Sequence, residues 1–300
     1  NQLLIKKKNG NYNKKNLIIS YFCHYDKDFL KKKYLLTNHW QNLKKYIKKK
    51  NFYILNFFIP DKNFKNLRQL VRRVKNNKVE NCQPFNFIDF YFDFGNLIRI
   101  IKYSIFSLRN FNRLQLQKKF IKNKEIYCIY LLSLNQLKCS LKGYTAFNNI
   151  YIYFCFFNFF NKNKKIKNIF YLMENFSWEK ILLNFFYKKN ITTYGYIHST
   201  MPYWLLNYYN SESYNNAKKN LPDNILTSSK INIKQLRDQK IPSKKIRLVE
   251  STRYSWLDDF KKLKKRDGMI VFGDYSKNLN LELIKFIKNF LVIKKDIKIY

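Results

Sequence analysis

Residues 171–204 read YLMENFSWEKILLNFFYKKNITTYGYIHSTMPYW. An apolar run, Tyr171-Leu-Met, ends in a carboxylate, Glu174. A helix-like stretch follows, and a second apolar run over residues 192–197 ends in His198. Strand, helix, strand is the repeating unit of a parallel sheet, because parallel neighbours need a long crossover between them. In an open sheet of this kind the groups just past the carboxyl ends of the strands line one crevice, and ligands bind there. The stretch therefore predicts that Glu174 and His198 are delivered to one place.

The same alternation extends outward. Residues 17–23 (LIISYFC) and 52–59 predict buried strands, the second stopped by Pro60-Asp61. Further strands are expected over 168–173, 223–227 and 246–249. Helical periodicity covers 26–50 and 63–75. Ser177 is placed to cap a helix running to Lys189, and Ser228 or Ser229 to cap one running to Gln239. Residues 85–122 are expected to be helical. Asp89 and Asp93 would then stand one turn apart, either as acidic residues of a first turn or as a pair for a metal or a shared proton. Residues 126–134 form another apolar run. Residues 150–160 (IYIYFCFFNFF) are expected to be a buried strand, far short of the ~20 residues a membrane span needs. Strands alternating with helices argue for an α/β fold.

The expected organisation is a basic lead-in over residues 1–16, a Rossmann-like domain over 17–255 and a charged linker over 256–267. The start of a second domain follows at 268–300: a strand to Phe272, a Gly273-Asp274 turn, a helix from about Leu279, and a strand from Asp296. The absence of an initiator Met and the stop at Tyr300 suggest a piece of a longer protein, inactive alone.

The chain carries a formal charge of +40, which ordinarily points to nucleic acid or an anionic membrane. Here 49 of the 59 basic residues are Lys, whereas phosphate and base-edge recognition favours the planar fork of Arg. The Lys runs are scattered, as on a solvated surface, so no specific nucleic acid is expected, while attraction to anionic lipid is. The five cysteines, at positions 23, 82, 128, 139 and 155, form no C-x-x-C pair and no zinc spacing. They are expected to be small core hydrophobes in a reducing compartment.

Several segments together resemble one family. Residues 17–22 (LIISYF), with Lys33-Tyr34 and Trp40, open the match. Residues 173–180 (MENFSWEK) and 195–200 (GYIHST), with Tyr203-Trp204, carry its centre. Residues 221–226 (LPDNIL), 239–246 (QKIPSKKI) and Arg253-Tyr254 close it. These look like the bacterial surface-carbohydrate-biosynthesis family of glycosyltransferase-type proteins. The P-D-x-I-L … I-P-x-x-K-I pattern more distantly resembles GT-B transferases in general.

The resemblance implies two Rossmann-like domains with parallel sheets, the second truncated here, and an acceptor site on the first. It implies transfer of a sugar from a nucleotide-activated donor to a lipopolysaccharide, O-antigen or capsule glycan, free or lipid-linked. No resident cofactor or metal is implied. The enzyme would be cytoplasmic, or peripheral at the inner face of the plasma membrane. An inverting transfer needs a base for the acceptor hydroxyl and positive or dipolar groups for the departing phosphate. His198 suits the first task, since an imidazole ordinarily titrates near ~6.5. Related transferases carry Gly after this His, where this chain has Ser199. Glu174 is the rival base, or the group that orients His198, or a helix cap. Ser199, Thr200, Trp178, Glu179, Tyr203 and Trp204 would contact substrate, with core packing the plainer role for the aromatics. Gly273, Asp274 and Ser276, between strand and helix, would face the nucleotide. Two other classes fit the same sequence: a basic nucleic-acid-binding protein, and a non-catalytic or epimerase-like GT-B relative.

Overall fold

The computed structural model describes residues 15–22, 40, 52–60, 65–76, 86–117, 138, 141–186, 189–199, 201, 221–251, 271 and 276–293. Most of the expected lead-in, most of the helix at 26–50, the apolar run at 126–134, the linker, all but Val271 of the strand at 269–272 and the strand at 296–300 lie outside them. The chain divides into two compact units, Asn1–Ser255 and Trp256–Tyr300.

Among the described residues, the first unit has six strands: β1 (Asn16–Phe22), β2 (Phe52–Phe58), β3 (Asn168–Leu172), β4 (Thr192–Ile197), β5 (Asn224–Thr227) and β6 (Ile246–Leu248). They form one sheet in the order β2-β1-β3-β4-β5-β6, and each adjacent pair is parallel. From β1 the chain goes to one side for β2, then to the other for β3. The topological switch point, where ligands collect in open parallel sheets, thus lies between the carboxyl ends of β1 and β3.

The strands read as continuous apolar runs because both faces are covered. Along β1, Leu17 and Ile19 join one core cluster while Ile18 joins another. The first cluster lies against α3 (Gly143–Lys162) and α4 (Ser177–Phe186). The second gathers Ile54, Leu172 and Tyr196 around Trp40. Among the described residues, further helices of this unit are α1 (Leu67–Asn76), α2 (Leu97–Gln117) and α5 (Lys230–Asp238), and the second unit shows α6 (Lys277–Ile293). Among the described residues no helix is long and apolar enough to cross a membrane.

Three expectations are corrected. Residues 150–160 are not a strand but the body of α3. Its Ile152, Phe154, Phe156, Phe159 and Phe160 are all buried, so it has too narrow a polar face to show a helical period. Aromatic edges lock it in place: Phe159 meets Tyr91 with centroids 4.8 Å apart at 89°, and Phe160 meets Phe186 at 4.3 Å and 82°. Such pairs contribute about 0.5–1.5 kcal/mol each beyond area burial. Residues 88–96 are two short 3-10 turns rather than the start of a helix. Asp89 there accepts from the Tyr151 hydroxyl at 2.9 Å and Asp93 from the Gly95 N–H at 3.1 Å, each in its own turn. Ser177 is the first residue of α4 rather than its cap, and its hydroxyl bonds Asn149 Oδ1 at 2.8 Å.

Candidate functional site

β3 and β4 are hydrogen-bonded neighbours, in register from Asn168 opposite Thr192. Their carboxyl ends therefore release Glu174 and His198 side by side. His198 Nε2 lies 3.6 Å from Glu174 Oε1, with the imidazole side chain 10% and the carboxylate side chain 32% exposed. That separation exceeds a hydrogen bond but sets the carboxylate beside the ring, where it would favour a protonated imidazole. Partial burial raises the Glu174 carboxyl above its ordinary range, so it holds a proton more readily than a free carboxylate.

The turn that carries Glu174 is fixed by Glu179. This carboxylate is 2% exposed, and one of its oxygens accepts from the backbone N–H groups of Glu174 and Phe176, both at 3.0 Å. Glu179 is the third residue of α4, where a Glu can reach back to the N–H preceding the helix as half of a capping box. Asn175, between the two donors, has φ 63, a left-handed conformation that Asn tolerates better than most residues. Burial pushes Glu179 up to about 7 against the pull of those N–H groups.

The loop that carries His198 is fixed by Asn232, on the first turn of α5 and 1% exposed. Its amide donates to the Ser199 carbonyl at 2.9 Å and to Thr227 Oγ1 at 3.1 Å, and its Oδ1 accepts from the Met201 N–H at 3.2 Å. The first turn of α5 is itself capped by Ser229, whose hydroxyl accepts from the Asn232 N–H at 3.4 Å. Further back, Asp223 ties β4 to β5, accepting from Thr193 N at 2.8 Å and from the Thr193 hydroxyl at 2.9 Å. Gly195 has little room for a side chain: a Cβ there would sit 3.0 Å from Met173 Sδ and from Pro222 Cγ, so those neighbours would have to give by a few tenths of an ångström.

Of the expected site residues, Glu174 and His198 are brought together. Ser199 is exposed, with its carbonyl held by Asn232. Glu179 is buried beneath the Glu174 turn. Trp178 lies in the core, its indole N–H donating to the Tyr21 hydroxyl at 2.8 Å and its ring 4.8 Å from that of Phe57. Ser276 is at the start of α6, in the second unit, where its hydroxyl accepts from Leu279 N at 3.4 Å. Thr200, Tyr203, Trp204, Gly273 and Asp274 lie outside the described residues. Among the described residues no three of His, Cys, Asp and Glu gather as a metal site. Asn232 was not anticipated; its signal is an Asn three residues after a capping Ser, just past a strand.

One aromatic not singled out in the sequence also stands at this end of the sheet. Phe176 is 49% exposed, and its ring meets that of Tyr21, near the end of β1, edge-on at 6.1 Å. The switch-point end thus carries a carboxyl beside an imidazole and an apolar ring, all on short, tied turns. No family model, no curated protein and no solved structure matches the chain.

Proposed function

We propose that this chain is the acceptor-side part of a GT-B-type glycosyltransferase, moving a sugar from a nucleotide-activated donor to a bacterial surface glycan such as lipopolysaccharide, O-antigen or capsule. The observation that supports it most is the Glu174–His198 pair, 3.6 Å apart at the ends of neighbouring parallel strands. The resemblance of the segments around both residues to surface-carbohydrate transferases supplies the reaction class.

In this account the acceptor hydroxyl oxygen bonds to the anomeric carbon as the carbon–oxygen bond to the donor phosphate breaks. The electron pair leaves with the phosphate. The hydroxyl proton passes to His198, and Glu174 beside it steadies the imidazolium that results. A base already oriented by a neighbour has little rearranging to do when the substrate arrives. Phe176 gives the apolar face of a sugar ring something to lie against.

The test is to incubate the full-length protein, donor-binding domain included, with a panel of nucleotide sugars and acceptor glycans and to follow nucleotide release. Release with one donor, lost in His198→Ala, is the expected result. Release that survives His198→Ala would move the base elsewhere. No release from any donor, together with salt-sensitive binding of nucleic acid, would replace this account with the basic nucleic-acid-binding one. No release and no such binding would leave a non-catalytic relative.

A further inference from the structure

α2 is dressed the wrong way round for a helix in water. The stripe it turns inward is Ile100, Ser104, Ser107 and Phe111. Two of those four are serines, which spend their hydroxyls on the carbonyls of Ile100 and Leu141, each at 2.8 Å. Its exposed side chains include Leu97, Ile98, Ile101, Ile105 and Leu108, with Ile98 78% exposed. Their spacing of three and four residues makes them one continuous stripe along the helix. Phe94, just before the helix, and Tyr144, at the start of the packed neighbour α3, are 80% and 81% exposed. A contiguous apolar patch of this kind marks a surface that meets something other than water.

The charge beside the stripe says what. Arg99, Lys102 and Arg109 are exposed and follow one another down the flank of the apolar residues, and the sequence of α2, LIRIIKYSIFSLRNFNRLQLQ, contains no acidic residue. A second copy laid along this stripe would bring two such basic flanks together with no carboxylate on either helix to pair with them. A nucleic acid would match the basic flank but leave five branched aliphatic side chains uncovered. An anionic bilayer answers both, with acyl chains for the Ile and Leu side chains and headgroup phosphates for Arg and Lys.

We propose that α2, with Phe94 and Tyr144, is a membrane-docking surface that lies in the interface of an anionic bilayer. This inference is independent of the transferase account. It concerns a helix well away in sequence from Glu174 and His198, and it holds for a protein of any activity.

The experiment is co-sedimentation of the full chain with vesicles of phosphatidylcholine alone or with phosphatidylglycerol. Wild type is compared with Ile98→Asp/Ile105→Asp and with Arg99→Gln/Lys102→Gln/Arg109→Gln. Circular dichroism verifies that each variant is folded, which their exposed positions favour. Binding to the anionic vesicles is expected to fall at least about tenfold in both variants, and neutral vesicles are expected to bind far less. Failure of the wild type to bind anionic vesicles, or binding unchanged by the aspartates, would overturn the proposal. Self-association in sedimentation velocity that the aspartates abolish would assign the face to a second copy instead. Duplex DNA binding that the aspartates abolish would assign it to nucleic acid.

Discussion

The turn after β3 and the loop after β4 each present one member of the Glu174–His198 pair, and each hangs from one buried polar side chain in the first turn of a helix, α4 directly after β3 and α5 after β5. On the β3 side the anchor is a carboxylate, Glu179; on the β4 side it is an amide, Asn232. Asn232 uses its donor and its acceptor at once and carries no charge. Glu179 offers acceptor oxygens alone, in a place where a charge is costly. One half of the site is therefore built to be indifferent to pH and the other is not.

The largest effect is expected on the indifferent side. Asn232→Ala strips partners from the Ser199 carbonyl, the Met201 N–H and Thr227 Oγ1, and should cost about 4 kcal/mol, the sum of several buried groups left unpaired. Urea unfolding at pH 5 and pH 8 should give the same loss. A loss that changes with pH would break the comparison.

Next comes the titrating side. Burial raises Glu179 from 4.5 to about 7, so the folded protein keeps a proton that the unfolded chain releases. The stability this provides is complete below about pH 4.5 and is lost as pH rises through about 7. Glu179→Gln keeps an acceptor oxygen without titrating. Wild type should lose up to about 3 kcal/mol relative to this variant between pH 5 and pH 8. Glu174, also raised by burial, slopes the same way in both proteins and cancels in the difference. Parallel pH profiles would show that the Glu179 carboxylate does not titrate as described.

A smaller effect should come from the strand between the anchors. Gly195→Ala pushes against Met173 and Pro222 and should cost about 2 kcal/mol of overpacking strain. Because Met173 directly precedes Glu174, the same variant should also shift the pair, read as a changed pH profile of nucleotide release. A fully neutral Gly195→Ala would mean that Met173 can move aside freely.

The strands were legible in the sequence because a parallel strand buried on both faces has to be a short, unbroken apolar run. All six sit within a residue or two of where those runs fall. Glu174 and His198 were legible for a related reason: a lone polar residue ending such a run can only stand at the sheet's carboxyl edge. α3 was not legible. Its 150–160 stretch is made almost wholly of aromatic and branched residues that also favour strands, on its exposed side as well as its buried one, so no polar stripe reveals its period. The anchors were hidden differently. Glu179 and Asn232 sit near helix starts, where Glu and Asn are commonplace on the surface, and only packing reveals that these two point inward. The serines inside α2 and the isoleucines outside it show the same limit in reverse, since pattern alone would have turned that helix over.

The most direct test is a double-mutant cycle on nucleotide release by the full-length protein, using wild type, Glu174→Gln, His198→Ala and the double variant. If the two side chains act as one proton-handling unit, His198→Ala should lower the rate by about 10²–10⁴-fold. The double variant should then be no slower than His198→Ala alone. Losses that multiply would contradict the account, because Glu174 and His198 would then be working separately, their 3.6 Å approach an accident of two neighbouring strand ends.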